Sequence, residues 1–235
     1  MKHREDLNIF DEPQLRFKRH VFKDRDHAGK LLAEKLRAYR GLDVIVLAIP
    51  SGGVPVGYAV AKGLDAPLDL MTVRKIQIPF NPEAGFGAVT VDGTAILNEP
   101  LVRHLNLSPE QVEIQISKAM RAIERRHRRF CGERPPPRLE GRTAIIVDDG
   151  VASGYTMLAA VASARKLNPA KIVVAVPTAP VDSLRGVAPR VDELYCLNVR
   201  DGFYFAVADA YLKWYDLGDE EVLAYLDKAR AIREK

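Results

Sequence analysis

Apolar residues return at helical spacing between Asp24 and Tyr39, where Ala28, Leu31, Leu32, Leu36 and Tyr39 predict one amphipathic helix that Gly41 can stop. The period then changes. DVIVLAIP is a continuous β-branched and apolar run, the pattern of a strand buried on both faces. SGGVPVG predicts a glycine-rich turn, and YAVAKGL the helix behind it. LDLMTVRK predicts a second strand that ends in two basic residues, and IQIPFNPEAGFG a loop bearing proline and glycine. AVTVDGTAIL alternates, and is expected to fold as a hairpin about a two-residue Asp92-Gly93 turn. Ser108, Pro109 and Gln111 spell a capping box with proline at the first helical position. The helix they open is expected to run to about Phe130, with ERPPPRLEG as a rigid linker after it.

Three more strands are expected in TAIIVDD, KIVVAVPTAP and VDELYCLNV, with a helix from Thr156 to Lys166 after the first. DEEVLAYLDKARAIREK predicts a terminal amphipathic helix. Strands alternating with helices predict the α/β class, as a doubly wound, mostly parallel sheet with helices on both faces. The 235 residues suit one domain of that kind, with an insertion over about 97–140 made of the hairpin end, a basic helix and the proline-rich linker.

Composition narrows the picture only a little. A 47% hydrophobic content supports a packed core, and a net charge of +4 favours anionic partners in general without naming one. Cys131 and Cys196 have no metal-ligand or CxxC spacing and are expected to stay reduced. The stretch from Val44 to Ala61 carries no charge and is long enough to span a bilayer. Pro50, Ser51, Gly52, Gly53 and Pro55 in its middle would break such a helix, so strand, loop and helix is the parse. The N-terminal MKHREDLNIFDEPQ is too polar for a secretory signal. No membrane segment and a cytoplasmic location are expected.

Ligands of open parallel sheets bind outside the C-terminal ends of the strands, which marks the positions after Pro50, Lys75, Asp149 and Pro177. TAIIVDDGVASGYTM holds the strongest chemistry. Asp148 and Asp149 follow a buried strand and either cap a helix or wait for a ligand. The small and hydroxyl residues behind them lead into a helix N-terminus, where free N–H groups and the helix dipole favour a phosphate. Carboxylates beside such a cradle can accept hydrogen bonds from sugar hydroxyls, so the loop suits a phosphorylated sugar. Gly52 and Gly53 offer a second loop whose backbone N–H groups can approach an anion unobstructed. Arg74 and Lys75 add two cations at the end of the second predicted strand.

The AIIVDDGVASGYTM segment resembles the 5-phosphoribosyl-1-pyrophosphate (PRPP) motif of type I phosphoribosyltransferases, in which an apolar strand and two acidic residues precede small residues ending in Thr/Ser-Gly-x-Thr. Ser153, Gly154 and Thr156 supply that ending. The resemblance implies that Asp148 and Asp149 hold the ribose 2′- and 3′-hydroxyls, with one of them the carboxylate that stabilises the transition state. It implies that Gly150, Val151, Ala152, Ser153, Gly154, Tyr155 and Thr156 wrap the 5′-phosphate. Ser51, Gly52 and Gly53 become the pyrophosphate loop, assisted by Arg74 and Lys75, a pair that orotate phosphoribosyltransferase carries similarly before its mobile loop. Many relatives have a basic residue before the two glycines. Ser51 removes that charge, so turnover is weakened or another residue takes its place.

From about Asp24 to Ala229 the chain further resembles a group of predicted phosphoribosyltransferases of unassigned substrate, through VRKI, NPE, VAVPTAP and a late GDEEV. That resemblance implies a small hood over the site, over about 198–235, and Mg²⁺ held through PRPP, waters and one of Asp148 and Asp149. It also implies a homodimer and a small-molecule acceptor, a nitrogen nucleophile such as a nucleobase, that displaces pyrophosphate. The rival reading is a PRPP-sensing regulator without catalysis, for which Ser51 and the basic KAMRAIERRHRRF helix speak; nucleic acid is a partner only in that case. The aromatic residues Phe203, Tyr204, Phe205, Tyr211, Trp214 and Tyr215 are expected either to pack the hood or to stack on an acceptor. The five histidines show no ligand spacing.

Overall fold

A computed structural model describes residues 8–202 and 204–233 of the chain. In chain order, strand β1 (Ile9–Asp11) is followed by helix α1 (Arg25–Lys35), β2 (Val44–Ala48), α2 (Gly53–Leu64) and β3 (Leu68–Leu70). Next come β4 (Val73–Ile78), β5 (Asn81–Thr90), β6 (Ala95–Leu97), α3 (Glu99–His104) and α4 (Pro109–Cys131). The chain then forms β7 (Thr143–Val147), α5 (Tyr155–Arg165), β8 (Lys171–Pro180), α6 (Val181–Val187), β9 (Glu193–Arg200) and α7 (Asp219–Arg233).

Six strands form a parallel sheet in the order β1-β9-β8-β7-β2-β3. The central strands carry apolar runs such as Val44–Ala48, Ala144–Val147 and Ile172–Val176 because both faces are covered. Side chains alternate between faces at period two. Val44, Val46, Ile145 and Val147 therefore meet Leu32, Val56, Val60 and Leu64 of α1 and α2 on one side. Ile45, Leu47, Ile146 and Val174 meet Met157, Val161, Leu184 and Val187 of α5 and α6 on the other. Each such side chain taken fully out of water contributes about 1.5–3 kcal/mol. The expected doubly wound α/β architecture is the one observed.

A second, antiparallel sheet of order β4-β5-β6 lies beside the first. Its outer face packs Ile76, Phe86 and Val89 against Ala119, Ile116 and Met120 of α4. The C-terminal end of α4 then joins α7 and α2 through Phe130, Cys131, Val222, Leu226 and Val54.

Several local expectations need correction. LDLMTVRK is two strands in two sheets: Leu68–Leu70 pairs with β2, while Val73–Ile78 pairs antiparallel with β5. No glycine or proline marks the switch at Met71 and Thr72, so the run reads as continuous. Arg74 and Lys75 consequently lie inside β4 and not at a strand end. The expected loop from Ile76 to Gly87 is mostly β-hairpin, with Ile78 opposite Asn81 and Pro79-Phe80 at its tip. Its prolines occupy the tip and the start of β5, where a ladder N–H is least needed.

The hairpin at Asp92 turns on three residues, not two, because Thr90 still bonds Thr94 and Gly93 takes φ +82°. Asp92 prefers this turn for its hydrogen bonds. Its carboxylate accepts from Thr90, from Thr94 (2.7 Å), from Ser163 (3.0 Å) and from Lys166 (3.1 Å), tying the hairpin to α5. Burial works against its charge, yet those donors hold the carboxyl well below the usual carboxylate range. Helix α2 starts inside the expected turn, at Gly53, since Pro55 is tolerated in a first turn. Helix α1 stops at Lys35 and a short 3₁₀ turn, Arg37–Tyr39, completes the predicted stretch. The short elements β1, α3 and α6 lack the length for a periodic signal. The capping box of α4 forms as predicted.

Candidate functional site

From β2 the chain goes to β3 on one side of the sheet and to β7, β8 and β9 on the other. Helix α2 leaves β2 on one face and α5 leaves β7 on the opposite face. The two helices therefore diverge from neighbouring strand ends, the place at which open α/β sheets form a ligand crevice. Ala48 is in register with Val147, and Ile49 N–H donates to the Val147 carbonyl at 2.9 Å.

The first loop is Pro50 to Gly53, and its Pro50–Ser51 peptide is cis. Gly53 N–H bonds the Ile49 carbonyl and Val54 N–H that of Ser51, while the N–H groups of Ser51 and Gly52 have no acceptor among the described residues. Glycine is required by the facing loop. A Cβ at Gly52 would lie 1.9 Å from Asp149 Oδ2, and one at Gly53 2.8 Å from the Val147 carbonyl. The second loop, Asp148 to Gly154, is pinned by the Val151 N–H to the Thr178 carbonyl (2.9 Å) and by Ser183 Oγ donating to the Ala152 carbonyl. Gly154 caps α5 at φ +88°, where a side chain would be strained. The N–H groups from Ala152 to Met157 have no acceptor among the described residues, which leaves an anion cradle at a helix N-terminus.

Asp148 and Asp149 are not helix caps, because that position belongs to Gly154. Asp148 is half-buried, and its Oδ1 accepts from Asp149 N–H at 2.9 Å. Burial, and then the charge of Asp149, push its carboxyl well above the usual range. Burial also raises Asp149, but Arg25 opposes that shift: its Nε donates to Asp149 Oδ2 at 2.8 Å. Asp148 is therefore the member of the pair that takes a proton first. Arg25 is itself buried, donates to the Tyr215 carbonyl at 2.9 Å and lies 3.9 Å from the Trp214 ring centroid. The Tyr211 hydroxyl donates to the Asp149 carbonyl at 2.5 Å. The segment after β9 thus closes over the aspartates from one side.

Ser51 has a partner from far along the chain. Arg126 of α4 donates to Ser51 Oγ through Nη2, and to Asp219 Oδ1 through Nε (3.1 Å) and Nη2 (3.0 Å). Arg74 and Lys75 are not joined to either loop by any hydrogen bond or ion pair among the described residues. They point to opposite faces of β4, and Lys75 crosses Gly85 to reach the Glu83 carbonyl.

Of the aromatic residues, Tyr211 is core, Trp214 covers Arg25, Phe205 approaches Arg200, and Tyr204 is exposed; Phe203 lies outside the described residues. Both cysteines are buried and free, with their thiols pushed up by burial. His127 bonds Thr72 across 3.0 Å.

Two residues of the site escaped sequence reasoning. Arg25 had a faint signal, since a cation in the first turn of a helix opposes the dipole and needs another reason to be there. Arg126 had none, being one arginine among several in KAMRAIERRHRRF. Among the described residues, no group of three or more His, Cys, Asp or Glu is placed to hold a metal, and no helix is long and apolar enough to cross a membrane.

A family model described as the phosphoribosyl transferase domain matches residues 23–207, which include both loops, Arg25 and Arg126. A Mycobacterium tuberculosis protein carrying the name "Putative phosphoribosyl transferase" is 42% identical over 209 residues, 89% of this chain and 47% of that protein. The chain spans about half the length of the curated relatives it matches. The crystal structure of the Thermus thermophilus protein TT1426 is 36% identical and superposes with a TM-score of 0.72, covering 88% of this chain and 98% of that one.

Proposed function

The chain belongs to the phosphoribosyl transferase family, and from that premise we propose that the crevice between β2 and β7 takes PRPP and transfers its phosphoribosyl group to a nitrogen nucleophile. One observation carries this reading: two adjacent carboxylates lie between two sets of backbone N–H groups that have no acceptor among the described residues, those of Ala152 to Met157 and those of Ser51 and Gly52. A ligand with hydroxyls in the middle and phosphates at both ends matches that order of acceptors and donors.

In this reading the cradle from Gly150 to Thr156 holds the 5′-phosphate, and Asp148 and Asp149 accept from the ribose hydroxyls. Arg25 keeps Asp149 ionised and oriented, and Tyr211 fixes the backbone beneath it. The Ser51 turn receives the pyrophosphate, and because Arg74 and Lys75 point to opposite faces of β4, at most one of them adds a further cation there. A nitrogen lone pair forms the new bond to C1 as the C1–O bond to pyrophosphate breaks, and the leaving electron pair stays on pyrophosphate. Positive charge develops on the ribosyl ring, where a nearby carboxylate stabilises it. The hairpin from β4 to β5 is suited to exclude water, which would otherwise compete as a nucleophile.

The donor set fits Mg²⁺ of the kind that keeps its waters and takes one or two carboxylates plus substrate oxygens, since Asp148 has acceptor capacity to spare and no protein cage is built among the described residues. Bound there, Mg²⁺ would neutralise charge on the departing pyrophosphate.

The test mixes the protein with PRPP, Mg²⁺ and a panel of nucleobases, and follows pyrophosphate release. Release that depends on one acceptor is the expected result. PRPP binding without release for any base would instead favour the PRPP-sensing reading, and an absence of PRPP binding by calorimetry would sink both.

A further inference from the structure

The turn after β2 carries no charge of its own in Ser51-Gly52-Gly53, yet a guanidinium is anchored on it from 75 residues away. Arg126 donates to Ser51 Oγ, its Nε and Nη2 bond one oxygen of Asp219, and its Cζ lies 5.2 Å from the Phe130 ring centroid. Three neighbours therefore fix the head group, although the side chain is 30% exposed. Its Nη1 has no acceptor among the described residues, and neither have the N–H groups of Ser51 and Gly52 in the same turn. Arg129 also reaches Asp219, at 3.5 Å, so two guanidinium groups share that carboxylate. Glu220, the other acid here, is largely exposed and screened by solvent. Beside the carboxylates of Asp148 and Asp149 that face this turn, Arg126 thus brings it a fixed cationic donor, next to backbone N–H groups that have no acceptor among the described residues.

We infer that Arg126 is a pyrophosphate-binding residue, supplying from helix α4 the cation that the turn after β2 lacks, with Asp219 as its positioning residue. This rests on the phosphoribosyl reading of the crevice. A charged donor fixed before the ligand arrives binds a phosphate oxygen without losing side-chain freedom at that moment. It also explains why the insertion and the terminal helix converge on this turn: α4 brings the arginine, and the first residue of α7 holds it.

The competing account is a structural staple that merely fastens α4 to the turn. Calorimetry with Mg²⁺ present separates the two, using inorganic pyrophosphate, PRPP and ribose 5-phosphate as probes. Arg126→Ala should weaken pyrophosphate and PRPP about ten- to a hundredfold, the usual worth of a hydrogen bond to a charged group. Ribose 5-phosphate, which needs only the second loop, should bind within about twofold of the wild type. Ser51→Arg in the Arg126→Ala background returns a guanidinium to the turn and should recover most of the pyrophosphate affinity. Unchanged pyrophosphate binding in Arg126→Ala, a parallel loss of ribose 5-phosphate, or no recovery in the double variant would each overturn the inference. A wild-type protein that binds neither PRPP nor ribose 5-phosphate would overturn the reading beneath it.

Discussion

Asp148 and Asp149 face different surroundings although they are neighbours in the chain. Arg25 answers the charge of Asp149, while among the described residues Asp148 accepts only the Asp149 N–H. The Asp148 carboxyl, raised by burial and by Asp149, keeps a proton in the fold that the unfolded chain releases near the ordinary carboxylate pKa of about 4. Its contribution to stability is therefore present below that pH and is lost as pH rises through the folded value. Asp148→Asn should accordingly melt higher than the wild type at pH 7.5, with the difference gone by about pH 4, while PRPP binding falls at least about tenfold. A variant that melts lower at pH 7.5 would show that the free protein already stabilises the ionised carboxylate. Instability of this kind is expected where a group waits for a ligand to satisfy it. The carboxylate pair was legible in the sequence, but its asymmetry was not, because Arg25 is remote in the chain.

Two elements meet at the crevice only because glycines let them. The N-terminus of α2 approaches the loop after β7 so closely that a Cβ at Gly52 would overlap the Asp149 carboxylate, which Arg25 prevents from swinging aside. Gly52→Ala should cost about 1–3 kcal/mol by overpacking and should abolish PRPP binding. Gly186 provides the contrast. A Cβ there meets nothing within 4 Å in α6, so Gly186→Ala should leave binding unchanged and add up to about 1 kcal/mol of stability. Chemical denaturation and calorimetry on the two variants check both outcomes; equal behaviour would mean that the two loops are not in contact. Sequence reading found these elements where the signal was local and strong, in the β2 and β7 runs and the capping box of α4. It failed on the strand pair after Leu68. Val73–Ile78 has the composition of a continuing strand, and only its pairing with β5 reveals a second sheet.

On the scale of the molecule, the crevice draws on both faces of the main sheet, on helix α4 and on α7. PRPP should therefore tie together parts that ribose 5-phosphate leaves separate. Hydrogen exchange with Mg²⁺ and PRPP is expected to protect the N-termini of α2 and α5 and the end of α4, whereas ribose 5-phosphate should protect only the loop before α5. Saturation at about a hundredfold above Kd should add about 2.7 kcal/mol to stability. PRPP protection confined to α5 would count against a site that spans both loops. The amino-acid sequence by itself determined the fold class and the position of the two loops proposed to bind anions, since a buried strand, a glycine turn and a helix start are specified by residues a few positions apart. The tertiary structure alone decided which arginine answers Asp149, which one reaches Ser51, and that Arg74 and Lys75 part to opposite faces. Those contacts join residues as much as 124 positions apart, and only the packing of helices on the sheet brings such groups within hydrogen-bonding distance.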